Sequence, residues 1–227
     1  MISIVIPTFN EAQSLPQTLE ALQHQAGSFE VIVVDGQSTD STTELARCYP
    51  FVQVMKSTRG RGKQMNAGAR RAQGEFLLFV HADTLLPSGA IAKLNKLEKD
   101  PSCLAGGFHQ RFLDSHPALR LLSWLHNVRA ACSHLFYGDQ ALFVRRTLFW
   151  ELGGYRESGV MEDVDLGTRL LKRARPVFLT ETVSVASRKF REMGVWRGFF
   201  HVLGIFVAYN WFPKALTGQE AFFSDYR

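Results

Sequence analysis

An α/β fold, with a mostly parallel central sheet flanked by helices and a helical C-terminal extension, is predicted by three features of the 227-residue sequence. Short β-branched runs alternate with helix-patterned segments through the first half, as β-α-β units require. The alternation weakens from Ala105 onward, so the second half is built differently. No stretch is apolar for the roughly 20 residues that a membrane span needs. The most apolar one, residues 199–212, is interrupted by His201 and Asn210.

The runs at 2–6, 29–35, 52–55 and 76–80 are the four predicted strands of the first half. After the first, Ser14 is a cap for a helix that opens at Leu15 with Pro16 in its first turn, and Leu15, Leu19 and Leu22 recur at the helical period. Residues 56–71 carry six basic side chains and no acidic one, with Gly60, Gly62 and Gly68 allowing close backbone approach to a ligand. In the second half, 106–113 reads as a strand, 118–135 as a helix and 141–145 as a short strand. Residues 161–173 read as a helix with Leu166, Leu170 and Leu171 inward, and 196–211 as a last, aromatic-rich helix.

Composition is that of one folded domain, with 46% apolar and 21% charged residues. The three cysteines, Cys48, Cys103 and Cys132, have no C-x-x-C spacing, which excludes a zinc site and a disulfide framework and fits a reducing cytosol. The N-terminus has no basic n-region, so no signal peptide is predicted. A net charge of +5 suits a nucleotide or an anionic surface. Nucleic acid is not expected, because the basic stretch lacks interleaved aromatics.

Four clusters fall at predicted strand ends or helix starts: Pro7-Thr8-Phe9-Asn10-Glu11, Val34-Asp35-Gly36-Gln37-Ser38-Thr39-Asp40, His81-Ala82-Asp83 and Glu162-Asp163. Strand carboxyl ends are where open α/β sheets bind ligands. In this order the clusters resemble the inverting family 2 glycosyltransferases of the GT-A fold, from Met1 to about Arg173. Gly-Arg-Gly-Lys-Gln-Met-Asn, His-Ala-Asp-Thr, Gly-Asp-Gln and Met-Glu-Asp-Val-Asp-Leu resemble the bacterial subgroup associated with radical-SAM and selenodomain genes.

The resemblance implies a nucleotide-binding half at 1–115, an acceptor and catalytic half at 116–185 and a C-terminal extension at 186–227. Asp35 would accept from a uracil or guanine N–H, with Pro7, Thr8, Asn10 and Glu11 lining the same pocket. Arg61 and Lys63 would contact the diphosphate or nucleotide. Asp83 would hold a divalent cation against the leaving diphosphate. His81 stands where the family has the first Asp of Asp-x-Asp, and an imidazole ligand favours Mn2+ over Mg2+. Asp163 would be the base on the acceptor hydroxyl, with Glu162 beside it, and Asp139 and Gln140 would bond sugar hydroxyls. Family members read Asp-Asp-Gly-Ser where this chain has Asp35-Gly36-Gln37-Ser38, which weakens a role for Asp40. Gly153-Gly154-Tyr155 would form a flexible approach to the base.

The implied donor is a UDP-sugar, or else a GDP-sugar, and the acceptor a hydroxyl that a lipid can carry. The C-terminal helix, with Trp196, Phe199, Phe200, Phe206, Trp211 and Phe212 beside Arg188, Lys189, Arg191 and Arg197, suits a peripheral membrane contact, a homodimer contact or burial on the sheet. Other classes fit less well. A dehalogenase-like phosphatase needs an acid where Gln37 stands, and a Rossmann dehydrogenase needs Gly-x-Gly-x-x-Gly where Pro7 to Glu11 stand. A sugar nucleotidyltransferase and a non-catalytic nucleotide-sugar binder remain open alternatives.

Overall fold

The computed structural model describes residues 1–157, 162–200 and 204. Among these, the strands are β1 (Ile2–Thr8), β2 (Phe29–Asp35), β3 (Val52–Lys56), β4 (Phe76–Phe79), β5 (Thr84–Leu85), β6 (Ala105–Phe112), β7 (Phe143–Arg145) and β8 (Val177–Val185). They form one sheet in the order β3-β2-β1-β4-β7-β6-β8-β5. The first four lie parallel, with Thr8 opposite Asp35 and Asp35 opposite Lys56, so their carboxyl ends share one edge. Strand β7 runs antiparallel between β4 and β6, and β8 pairs parallel with β6.

The helices are α1 (Leu15–Gln23), α2 (Thr42–Arg47), α3 (Arg61–Arg71), α4 (Ala90–Glu98), α5 (Pro117–Ser133), α6 (Arg146–Glu151), α7 (Glu162–Leu171) and α8 (Arg188–Met193). Alternation along the strands divides the core in two. Ile2, Ile4, Ile6, Val31 and Val33 face Leu15, Leu19 and Leu22 of α1 and Ile91 and Leu94 of α4. Val5, Ile32, Val34, Leu77 and Phe79 face Met65 and Ala69 of α3 and Leu166 and Leu170 of α7. Strands covered on both faces must be apolar throughout, which is why β1 and β2 read as unbroken hydrophobic runs. Each such side chain contributes about 1.5–3 kcal/mol on burial, so Leu19→Ala is a change of a few kcal/mol.

Several expectations are corrected. Ser14 occupies the cap position of α1 but its side chain makes no cap bond; the Glu11 carbonyl accepts from Ser14 and Leu15 instead. Leu171 is exposed, because at i+5 from Leu166 it rotates off the face that Leu166 and Leu170 bury. Helix α7 ends at Leu171 rather than 173, where Arg173 and Ala174 both donate to the Leu170 carbonyl. Ala141 has a left-handed backbone (φ 47°), and the strand there begins only at Phe143. Strand β8 and the short helices α2, α4, α6 and α8 are not among the predicted elements. Of the predicted 196–211 helix, residues 196–200 and 204 are helical, with the helical run starting one residue earlier at Val195; Phe206, Trp211 and Phe212 lie outside the described residues, as does Met161.

Candidate active site

The carboxyl edge of β1 and β2 is built by side chains that fasten two loops together. Asp35, 1% exposed at the end of β2, accepts from the Gln37 and Ser38 amides through Oδ2 at 3.1 Å each. Its Oδ1 is buried with no hydrogen-bond partner in the described structure. A buried carboxylate oxygen in that condition is costly unless a donor arrives, so the position suits a ligand N–H. Asn10, left-handed at φ 54°, accepts from the Thr39 amide at 2.9 Å while its own amide donates to Ser38 Oγ at 2.9 Å. Asp40 is consumed structurally: it accepts from Thr42 and from the Ala12 amide. Thr8 is buried with its hydroxyl turned to the Val34 carbonyl, and Pro7, half-buried, pairs with Val34. Glu11 donates its amide to Thr42 Oγ1, and its carboxylate meets Arg188 at 3.5 Å.

Helix α3 starts against this edge. Gly60 adopts φ 138°, and the buried Gln64 side chain donates to the Thr8 and Val34 carbonyls at 2.8 Å each. Lys63 sits half-buried in the first turn. Gly62 and Gly68 do not leave space for a ligand. A Cβ on Gly62 would lie 2.6 Å from the Arg156 carbonyl, and one on Gly68 2.4 Å from Val5, so the protein's own packing requires both glycines.

The segment His81-Ala82-Asp83 leaves β4 at the same edge. Its three carbonyls accept in turn from Thr84 N, Thr18 Oγ1 and Ala186 N, which fixes the backbone that carries the imidazole and the carboxylate. Among the described residues no group of three or more His, Cys, Asp or Glu is spaced to hold a metal. A cation at His81 and Asp83 would therefore take its remaining ligands from the substrate, a donor set that suits a metal bound together with a diphosphate.

Asp163 and Glu162 open α7 across the edge from that segment. Arg61 bonds both: its Nε pairs with Glu162 Oε1, its Nη2 lies 2.7 Å from Asp163 Oδ2, and its Nη1 lies 3.5 Å from His81 Nε2. The guanidinium predicted to meet a diphosphate is thus already engaged by the two carboxylates, which hold it firmly protonated. Asp163 is 4% exposed and also accepts from the Gly138 amide at 3.1 Å. Burial pushes its carboxyl up to about 6, outweighing Arg61, with Glu162 and Asp139 pushing the same way. A helix N-terminus favours the anion, so here burial prevails over the dipole. Asp165, the third acid of that turn, is taken up by Arg169 and Arg156.

Gly138-Asp139-Gln140 forms a single 3-10 turn packed on this cluster. A Cβ on Gly138 would lie 2.3 Å from His81 Nε2 and 2.8 Å from Asp163 Oδ2. Gln140 is fully buried, accepting from Arg129 at 3.1 Å and from the Tyr137 amide at 3.3 Å, so it braces the turn rather than facing outward. Asp139 lies 3.6 Å from His126, whose ring burial holds below its usual pKa. In Gly153-Gly154-Tyr155, Gly153 is exposed with nothing within 4 Å of where a Cβ would sit, whereas Tyr155 is held on several sides. Tyr155 donates its amide to Asn66 Oδ1 and accepts from Asn66 Nδ2, and its ring packs edge-on against Phe79 and Phe149.

Residues 3–153 match the family model described as Glycosyl transferase family 2, more than half of the chain. The chain belongs to glycosyl transferase family 2. Glu162 and Asp163 lie beyond that match. A PGL/p-HBAD biosynthesis glycosyltransferase of Mycobacterium bovis is 31% identical over 211 residues, covering 86% of this chain and 78% of that one. Among solved structures, the mannosyltransferase PcManGT of Pyrobaculum calidifontis, in complex with GDP-Man and Mn2+, superposes with a TM-score of 0.68 at 24% identity, covering 88% of this chain. TarS 1–349 of S. aureus, in complex with UDP-GlcNAc, gives 0.67 at 20% identity over 82%. The fold of this family 2 glycosyltransferase is therefore GT-A. The chain spans 60% and 58% of those two solved chains.

Sequence reasoning missed Gln64, Asn66 and the α5 residues His126 and Arg129 as supports of the candidate site, and it marked Gly138 only as part of the Gly-Asp-Gln motif. Gln64 and Asn66 stood inside the basic segment, and polar residues at i and i+2 carry no signal that both are buried. Arg129 stacks on Tyr137 at 3.6 Å and spans to Gln140, contacts that only the return of the chain after α5 creates.

Proposed function

We propose that this glycosyltransferase moves a sugar from a nucleotide-diphosphate donor to an acceptor hydroxyl by single displacement, with Asp163 as general base. The observation that carries this reading is the Asp163 carboxylate: buried, raised to about 6, and anchored by Gly138 and Arg61 beside the His81-Ala82-Asp83 segment. A base poised near working pH is what hydroxyl activation needs. The acceptor oxygen attacks the anomeric carbon, its proton passes to Asp163, and the bond to the diphosphate breaks with its electron pair leaving on the nucleotide. Inversion follows from attack opposite the leaving group.

In this reading the open Oδ1 of Asp35 receives the base N–H, and Lys63 lies toward the phosphates. Asp83 and His81 would hold a divalent cation, Mn2+ in preference to Mg2+, and that ion would supply charge neutralisation for the leaving diphosphate. Arg61 aligns the two carboxylates, a different task from the phosphate contact expected of it. Asp139 faces the sugar side. The neighbours solved with GDP-Man and Mn2+ and with UDP-GlcNAc support a nucleotide-sugar donor and a metal. No helix among the described residues is long and apolar enough to cross a membrane; a cytosolic site of action is part of the proposal.

Calorimetric titration with UDP-glucose, UDP-N-acetylglucosamine, GDP-mannose and UDP, with and without Mn2+, tests it. Metal-dependent binding abolished by Asp83→Ala, with Asp163→Asn binding donor normally but failing to turn over, is the expected result. Equal turnover by Asp163→Asn overturns the base, and binding indifferent to both metal and Asp83 overturns the cation site.

A further inference from the structure

Seven of the ten exposed large apolar side chains among the described residues are Leu113, Leu121, Trp124, Leu125, Val128, Trp196 and Phe200, so the exposed apolar surface is concentrated rather than scattered. Leu121, Trp124, Leu125 and Val128 fall within an arc of about 100° on α5 at 3.6 residues per turn. The opposite face of α5 is the buried one, where Ala118, Leu119 and Leu122 pack with Phe190 and Phe199. The His116 ring at the start of α5 meets Trp196 at 5.8 Å, and Trp196 meets Phe200 at 6.4 Å, so the exposed Trp196 and Phe200 rings adjoin the N-terminal end of α5. Trp124 is 60% and Phe200 63% exposed.

The charges around this face have one dominant sign. Helix α5 contains no Asp or Glu in its 17 residues. Arg120 and Arg197 are exposed beside the apolar residues, with Arg191 at the margin paired to Asp114. Tryptophan and arginine bordering an aliphatic stripe is the composition of a helix lying in a lipid interface.

We propose that the outer face of α5, together with Trp196 and Phe200, docks the enzyme on an anionic lipid bilayer surface. A second copy of the chain is the poorer occupant, because a two-fold contact would bring the same basic patch of both copies together with no Asp or Glu of α5 to pair it. Residues 201–227 are a poorer match too, since Lys214, Arg227, Glu220 and Asp225 leave them without net charge to complement the arginines. The inner side of the same helix carries His126 and Arg129, which touch Asp139 and Gln140 in the turn whose Gly138 amide bonds Asp163. Docking through α5 would leave the proposed base on the far side of that helix, roughly a helix diameter (about 10 Å) from the lipid surface, so an acceptor hydroxyl borne by a lipid could enter around it. That last consequence rests on the proposed transfer; the docking itself does not.

Vesicle flotation of the full chain, without donor, tests the docking with phosphatidylglycerol–phosphatidylcholine vesicles and with phosphatidylcholine alone. The enzyme is expected to float with the anionic vesicles, less with neutral ones, and less again at high salt. Arg120→Gln with Arg197→Gln should lower partitioning about twenty-fivefold, taking about fivefold for each arginine at an anionic surface. Leu121→Gln with Trp124→Gln should abolish it while leaving melting temperature and UDP binding unchanged. Three results overturn the proposal. One is a wild-type chain that stays off all vesicles, and a dimer by light scattering that the Leu121/Trp124 variant loses would then assign the face to a second copy. Another is flotation and melting temperature both unaltered in that variant. The third is a melting temperature that falls in that variant without any change in flotation, which would assign the face to residues 201–227.

Discussion

Replacing Gly138 by alanine adds one methyl group where three heavy atoms already stand. The new Cβ would lie 2.3 Å from His81 Nε2, 2.6 Å from His81 Cε1 and 2.8 Å from Asp163 Oδ2. Ordinary non-bonded carbon contacts are about 3.5–4.0 Å, so either the turn or both side chains must move by about 1 Å. Asp163 cannot yield freely, because the same oxygen bonds Arg61 and the Gly138 amide. The turn is held as well, since Gln140 is locked by Arg129 and Tyr137. Overpacking of this kind costs about 1–3 kcal/mol, a fall in melting temperature of roughly 2–10 °C for a chain of this size. Misplacement of a reacting group by about 1 Å costs on the order of 100-fold in rate. The assay is release of nucleoside diphosphate with water as the slow acceptor, alongside calorimetric donor binding and thermal melting. Turnover within about threefold of wild type, with an unchanged melt, would refute the reasoning that Gly138 holds the imidazole and the carboxylate in register.

Asp35→Ala should weaken nucleotide binding by about 10–100-fold, the value of one charge-assisted hydrogen bond, and calorimetry with UDP reads it directly. The pH profile of kcat/KM should show an acid limb near pH 6: Asp163 must be ionised to accept a proton, its carboxyl is raised to about 6, and activity therefore falls as pH drops through that value. A limb near the ordinary aspartate value of 3.8 would contradict the burial that raises it. Gln64→Leu removes the donor shared by the Thr8 and Val34 carbonyls and should destabilise the chain by about 2–4 kcal/mol, measured by urea unfolding, with weaker donor binding as the strand ends separate.

The alternation of β-branched runs with helical patterns was legible because it is local. A parallel strand buried on both faces has to be apolar throughout, and Ile2 to Ile6 and Val31 to Val34 say so without any tertiary information. Asp35, His81, Asp83, Glu162 and Asp163 were likewise found where a strand ends or a helix starts, positions that the chain's own periodicity marks. Strand β8 was not found, since its alternating Val-Phe-Leu-Thr-Glu-Thr-Val-Ser-Val run lay behind a helix and Pro176, outside the β-α rhythm of the first half. Composition marked an aromatic C-terminal helix but left open whether it is buried or exposed, and it could not tell that Phe199 is buried while Trp124, on another helix, is exposed.

The sequence by itself determined the fold class and marked the carboxyl edge as the place to look for a site, because strand and helix patterns depend on neighbours within a few residues; the roles expected of the acids came from the family resemblance. Tertiary structure decided what those groups do to one another. Arg61 meets Glu162 and Asp163 across 101 and 102 residues, and Gly138 meets Asp163 across 25. A sequence specifies that these charges exist but not their separation or their access to water, and those two quantities set whether a guanidinium binds phosphate or aligns a base, and whether an aspartate titrates near 4 or near 6.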